Sequence, residues 1–211
     1  QALTESFLLT LKGTGGCGKT RLSLQAAANV LEQKQFPDGV WLVELVGLTD
    51  PDRVPQAVAS VLGVRETAES DLTTSLIHFL QAKYLLLVLD NCEHLREACA
   101  YLAERLLTAC PSLRILTTSR DALHIGSEQI YEVPPFAVPD PANLPPLEQL
   151  EQQEAVRLFM ERAHAVLPRF RLTPEYAVSI PNICRRLDGL PFAIELVADK
   201  GTKAPALGVG V

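Results

Sequence analysis

Gly13-Thr14-Gly15-Gly16-Cys17-Gly18-Lys19-Thr20 stands between the apolar run Phe7–Lys12 and a segment from Gly18 to about Lys34 that places Leu22, Ala26 and Val30 on one helical face. Strand, glycine-rich turn and amphipathic helix, in that order, frame a phosphate-binding loop, and Gly13-x4-Gly18-Lys19-Thr20 fits its pattern in full. The chemistry needs these residue types. Gly13, Gly15, Gly16 and Gly18, with the backbone of Cys17, can turn N–H groups inward around phosphate oxygens, where larger side chains would intrude. The helix beginning near Gly18 aims its N-terminal dipole at the same anion. Lys19 adds charge for the β- and γ-phosphates, the Thr20 hydroxyl completes a Mg²⁺ shell, and Arg21 follows on the first turn. The expected ligand is a purine nucleoside triphosphate, ATP with its product ADP, together with Mg²⁺.

Working outward, five strand-like runs alternate with helical patterns, which predicts an α/β fold with a parallel sheet covered on both faces. The runs are Phe7–Lys12, Val40–Val46, Tyr84–Leu89, Leu113–Thr117 and, less clearly, Gln129–Val133. Tyr84–Leu89 is apolar throughout, as a central strand buried on both sides should be. Between them, Val54–Leu62 reads as a helix capped by Gly63, Asp71 caps a helix to about Gln81, and Glu93–Cys110 forms another that Pro111 stops. Pro134, Pro135, Pro139, Pro141, Pro145 and Pro146 then exclude regular helix and read as a stiff connector. Helical stretches follow at Glu151–Leu167 and about Pro174–Ala198. The second is interrupted by Pro181 and by Gly189-Leu190-Pro191, so it is either two helices or a kinked one. The expected organisation is a nucleotide-binding core at 1–133, a proline-rich connector at 134–150, a helical module at 151–198 and a flexible or foreign tail at 199–211.

A phosphate loop needs an acid on the far side of the metal, and Asp90, ending the apolar strand, supplies it. Asn91 follows, where many fast ATPases carry an acid that takes a proton from the attacking water. An amide cannot accept that proton at neutral pH. Asn91 can orient water or cap a helix, so hydrolysis is expected to be slow or absent. Glu93 could substitute, although an exposed acid on a first helical turn is the plainer reading. Leu113–Arg120 (LRILTTSR) is an apolar strand ending in hydroxyls and an arginine at the sheet edge that faces ligands in such folds. Arg120 could read the γ-phosphate, with Thr118 or Ser119 bonding water or phosphate; taken alone, a surface arginine paired with Asp121 is the better reading.

Bulk properties narrow the setting. The 211 residues suit one α/β domain with a small appendage, and 47% hydrophobic content is ample for a core. A net charge of −6 gives no positive field for nucleic acid or anionic membrane, so direct binding to either is not expected. Cys17, Cys92, Cys99, Cys110 and Cys184 have no metal or redox spacing and read as reduced thiols. His78, His94, His124 and His164 have no ligand spacing and receive no role. No secretory leader or apolar run near the ~20 residues of a membrane span is evident, so a cytoplasmic location is expected.

The ordered blocks Leu8–Leu22, Leu86–Leu95 (LLVLDNCEHL), Leu113–Leu123 (LRILTTSRDAL), Tyr131–Phe136, Glu154–Phe159 and Ile183–Leu196 (ICRRLDGLPFAIEL) make the chain resemble the nucleotide-binding domain of STAND-class signal-transduction NTPases, of the NB-ARC or AP-ATPase type. The resemblance is strongest to versions in bacterial LuxR-like and SARP-like transcriptional regulators. It implies a P-loop NTPase sheet of strand order 5-1-4-3-2 and a helical lid across the nucleotide. It implies that Lys19 and Thr20 bind phosphate and Mg²⁺, that Asp90 is the metal's acidic partner and that Arg120 senses the γ-phosphate. It also implies that Pro191 packs on adenine. Such domains act as ADP/ATP switches, with nucleotide-dependent homo-oligomers as one output, and at most as slow ATP hydrolases. Departures are Thr14 where proline is common and Phe192 where leucine is. The start at Gln1 leaves no room for the upstream adenine-contacting segment, and the winged-helix module and further N- and C-terminal domains are expected to lie outside this chain. An active P-loop ATPase or kinase, and a non-catalytic interaction scaffold, are the alternatives.

Overall fold

The computed structural model describes residues 2–66, 70–140 and 143–201. The chain forms two compact units, Gln1–Gly13 with Lys19–Val133, and Thr14–Gly18 with Pro134–Val211. In the first, strands β1 (Leu8–Lys12), β2 (Val40–Glu44), β3 (Leu86–Asp90), β4 (Arg114–Ser119) and β5 (Glu128–Glu132) build one sheet in the order β2-β3-β4-β1-β5. Every pairing is parallel. Read from the other edge, this is the expected 5-1-4-3-2.

The alternation of side chains along the strands makes three layers. Leu8, Val43, Leu87, Leu89 and Ile115 share a core with Val54, Val58 and Leu62 of α3 (Val54–Leu62), Leu76 and Leu80 of α4 (Leu72–Leu80), and Leu102 and Leu106 of α5 (Arg96–Ala109). The intervening residues Leu9, Leu11, Leu86, Val88 and Leu116 pack instead with Leu3 of α1 (Ala2–Glu5), Val30 of α2 (Lys19–Glu32) and Phe36. All five positions of β3 are buried, which explains its unbroken apolar sequence. Each leucine so buried contributes about 1.5–3 kcal/mol relative to exposure. Strand β5 is the reverse: an edge strand paired only with β1, it leaves Gln129, Ile130, Tyr131 and Glu132 exposed and so carries a weak sequence signal. At the sheet's centre, Thr10 and Thr117 lie opposite each other and join their hydroxyls at 2.7 Å, satisfying two polar groups that water cannot reach.

Local signals placed most helix ends. Gly63 caps α3 at φ 71°, and Asp71 caps α4 by accepting from Thr74 N at 2.7 Å. The helix expected over Glu93–Cys110 begins later: Cys92–Leu95 is a 3-10 turn, and α5 starts at Arg96. Asn91 in the left-handed region at φ 67° turns the chain sharply out of β3, and Leu95 at φ −123° separates the two helical pieces.

The second unit contains α6 (Leu147–Glu151), α7 (Glu154–Val166), α8 (Tyr176–Arg186) and α9 (Pro191–Gly201) around Leu150, Val156, Phe159, Met160, Ile180, Cys184 and Ile194. Three expectations change here. The connector 134–150 is not free of helix, because Pro146 occupies the N-cap of α6, before any N–H is needed. The helix expected from Glu151 divides, with α7 starting at Glu154. Between Pro174 and Ala198 the break falls at Asp188 (φ 52°) and Gly189 (φ 64°), while Pro181 stays inside α8. Gly189 is obligatory on two counts: its backbone is left-handed, and a Cβ there would lie 2.1 Å from the Phe136 carbonyl oxygen. Phe136 N in turn donates to the Gly189 carbonyl at 3.0 Å. Helix α9 runs through Asp199–Gly201, the first residues of the expected tail; 202–211 lie outside the described residues.

Candidate nucleotide site

Parallel strands all finish at one sheet edge, and β1, β3 and β4 are neighbours there. Asp90 closes β3 and Thr118 lies near the end of β4, while Thr20 stands on the first turn of α2. The Thr20 hydroxyl donates to both Asp90 carboxylate oxygens, at 2.9 and 3.0 Å. The Thr118 hydroxyl donates to Asp90 Oδ1 at 2.6 Å and accepts from Asn91 N at 2.8 Å. Asp90 is 7% exposed and is held in place by neutral hydroxyls. Two hard oxygen donors that meet at a helix start suit Mg²⁺, which takes few protein ligands and relies on phosphate and water for the rest. Thr20 and Asp90 therefore fit the ion the loop implies. Among the described residues, no group of three or more His, Cys, Asp or Glu offers another metal site.

Lys19 is buried, 8% exposed, and its Nζ donates to the Gly13 carbonyl at 2.8 Å. Gly13 N donates to the Ser119 carbonyl at 3.2 Å, fastening the start of the loop to the end of β4. Arg21 is exposed on α2. The remaining loop, Thr14–Gly18, groups with the second unit. Gly16 and Gly18 are left-handed at φ 81° and 98°, the conformations that turn successive N–H groups inward. Gly15 and Gly16 are exposed and Cys17 is 4% exposed. The Gly16 carbonyl accepts from Phe192 N at 3.1 Å, and a Cβ on Gly16 would meet Phe192 Cβ at 3.2 Å. Pro191, next to it, is buried and opens α9, where its fixed φ and missing N–H do no harm.

Three sequence readings change. Thr118 and Ser119 do not face outward for water or phosphate: both are buried, Thr118 serves Asp90 and Asn91, and Ser119 Oγ accepts from Asp121 N at 3.3 Å. Arg120 pairs with Glu93 rather than Asp121, at 3.3 Å. Glu93 is not an exposed helix acid, since its side chain is only 21% exposed and its Oε2 is buried without a hydrogen-bond partner.

His94, to which the sequence assigned nothing, lies beside Asn91. Its Nε2 lies 2.7 Å from the Leu48 carbonyl, an acceptor only, so Nε2 carries the proton and Nδ1 is left as an acceptor. Asn91 Nδ2 then lies 3.4 Å from Nδ1, a long and exposed hydrogen bond. The signal was the i, i+3 spacing, which means nothing until the 3-10 turn is known. The thiols are chemically quiet: all five cysteines are buried and free. Burial pushes Cys184 up to about 12, and a hydrogen bond with Cys99, followed by burial, raises Cys92 well above the usual thiol value.

Comparison with known proteins gives relatives of the same family and fold. A protein named "Putative HTH-type transcriptional regulator" from Mycobacterium tuberculosis is 39% identical over 196 residues, which are 93% of this chain and 20% of the relative. An uncharacterized protein of the same species is 37% identical over 196 residues, again 93% of this chain and 46% of the relative. The chain thus spans a fifth to under half of these relatives' lengths. Among solved structures, a STAND protein with a tetratricopeptide repeat sensor from Pyrococcus horikoshii superposes with TM-score 0.56 and 13% identity, over 99% of this chain and 29% of that one. Cdc6p from Pyrobaculum aerophilum gives TM-score 0.60 and 15% identity, over 96% and 58%. Both share the P-loop NTPase fold. With the phosphate loop, the Asp90 strand and a sheet of this order in place, and with residues 4–125 matching the AAA domain family over more than half its length, the chain belongs to that family.

Proposed function

We propose that the chain is an ATP/ADP-binding switch module of a STAND-like, NB-ARC-type signal-transduction ATPase within a cytoplasmic transcriptional regulator, hydrolysing ATP slowly or not at all. The observation that carries this reading is the side chain beside Asp90. Asp90 and Thr20 meet as oxygen donors suited to Mg²⁺, yet the neighbour Asn91 is an amide and cannot take a proton from water. A site that binds well and turns over poorly suits a timer or switch more than a metabolic enzyme. Switching requires only that ADP and ATP bind two states of the protein unequally.

In this reading Lys19, with the backbone of Gly13, Gly15, Gly16, Cys17 and Gly18, holds the phosphates, and Arg21 flanks them. Thr20 and Asp90 hold Mg²⁺, which when bound draws charge from the phosphate oxygens. Arg120 reads the γ-phosphate, and Pro191 offers its flat apolar ring to adenine. The name of the mycobacterial relative supports a regulatory setting, with DNA contacted by other parts of the protein. Nucleotide-dependent self-association through those parts is the expected output. Two measurements test the reading: mass spectrometry of the nucleotide carried through purification, and single-turnover hydrolysis. Bound ADP with turnover on the order of minutes or slower supports it. Fast metal-dependent cleavage, or protein with no affinity for either nucleotide, overturns it.

A further inference from the structure

We infer that Glu93 is a positioning residue for nucleotide discrimination: it holds Arg120 in a carboxylate contact that only a third phosphate displaces. The inference rests on the sensing role proposed for Arg120. Glu93 and Arg120 follow the two strands that frame the site, three residues beyond Asp90 on β3 and one beyond Ser119 on β4. The Ser119 carbonyl is itself hydrogen-bonded to Gly13 at the head of the phosphate loop. Arg120 is thus one residue from a loop contact, yet its guanidinium is turned to Glu93, with Nε 3.3 Å from Oε1.

The two partners are unequally placed. Arg120 is 64% exposed and can swing on a long side chain, whereas Glu93 is 21% exposed and fixed on a 3-10 turn. Glu93 Oε2 is buried with no hydrogen-bond partner. The carboxylate therefore depends on Arg120 for its neutralisation, and moving the arginine away leaves a half-buried charge uncompensated. ADP makes no demand on Arg120. ATP does, because the γ-phosphate competes with Glu93 for the guanidinium, and Arg–phosphate contacts are strong, charge-assisted ones. The contact thus weakens ATP binding selectively, by reducing the population of Arg120 ready to meet a third phosphate.

The test is a mutant cycle on the full chain, using fluorescent ATP and ADP analogues with Mg²⁺ to obtain both affinities. Glu93→Gln keeps the shape of the side chain and removes its charge. It should tighten ATP about two- to fivefold, the upper part of the range of a partly exposed ion pair, while leaving ADP affinity unchanged. In an Arg120→Ala background the same substitution should change neither affinity. If Glu93→Gln shifts ATP and ADP equally, or shifts ATP as much without Arg120 as with it, the latch is wrong. If Arg120→Ala leaves the ATP/ADP ratio unchanged, the sensing role itself fails, and that outcome is separable from failure of Glu93 alone. Thermal melts of each variant confirm that the folded protein is being compared.

Discussion

Asn91 is the residue on which the chemical reading turns. Its left-handed backbone, φ 67°, is one that asparagine and aspartate accept more readily than other non-glycine residues, so Asn91→Asp should fold without strain. Placing an acid there restores a group able to accept the water proton, and we expect single-turnover hydrolysis to rise at least about tenfold. An unchanged rate would mean that something other than the missing base limits turnover. Lys19, Thr20 and Asp90 were legible in sequence because loop and strand patterns fix them. His94 and the Glu93–Arg120 pair were not. Their partners lie 46 and 27 positions away in sequence, and only the strand order β2-β3-β4 and the turn after Asp90 bring them together.

At the scale of elements, the central strand β3 was readable because burial on both faces left a continuous apolar run, the edge strand β5 was less so, and the resemblance supplied the strand order. Helix boundaries were legible where a side chain or glycine makes the cap, as at Asp71 and Gly63. One was missed at Leu95, where φ alone separates the 3-10 turn from α5, since that residue carries no sequence signature for that role, whereas Gly189-Leu190-Pro191 did mark the break between α8 and α9. The turn between α8 and α9 is a tight test of packing. Gly189→Ala combines a left-handed backbone with a Cβ 2.1 Å from the Phe136 carbonyl oxygen, a backbone atom that cannot move aside alone. We expect at least ~1–3 kcal/mol of destabilisation in denaturant titrations. A variant as stable as the parent would show that this turn is not formed as described. In the central sheet, Leu87→Ala removes a fully buried side chain and should cost about 2–5 kcal/mol by the same measurement.

For the whole molecule, acid should destabilise in a defined window. Asp38 is held below its ordinary value of 3.8 by the Tyr84 N–H and then by Lys83, and Asp71 by its N-cap bonds from Thr74. A depressed folded value means that the unfolded chain binds more protons in acid. The stability is therefore complete above the unfolded carboxylate value and is lost as pH falls through the folded one. Thermal melts should fall from about pH 4 downward, and Asp38→Asn should flatten that fall. A melt insensitive to pH in this range would remove these bonds from the account. Both features are scaffolding around the central claim, that the segment Gly13–Thr20 with Asp90 holds a nucleotide and Mg²⁺. Isothermal titration of ATP with Mg²⁺ into the chain and into its Lys19→Ala variant tests it most directly. Saturable binding in the parent that depends on Mg²⁺ and weakens at least about a hundredfold in the variant is the predicted result. No binding by the parent, or equal binding by both proteins, would contradict it.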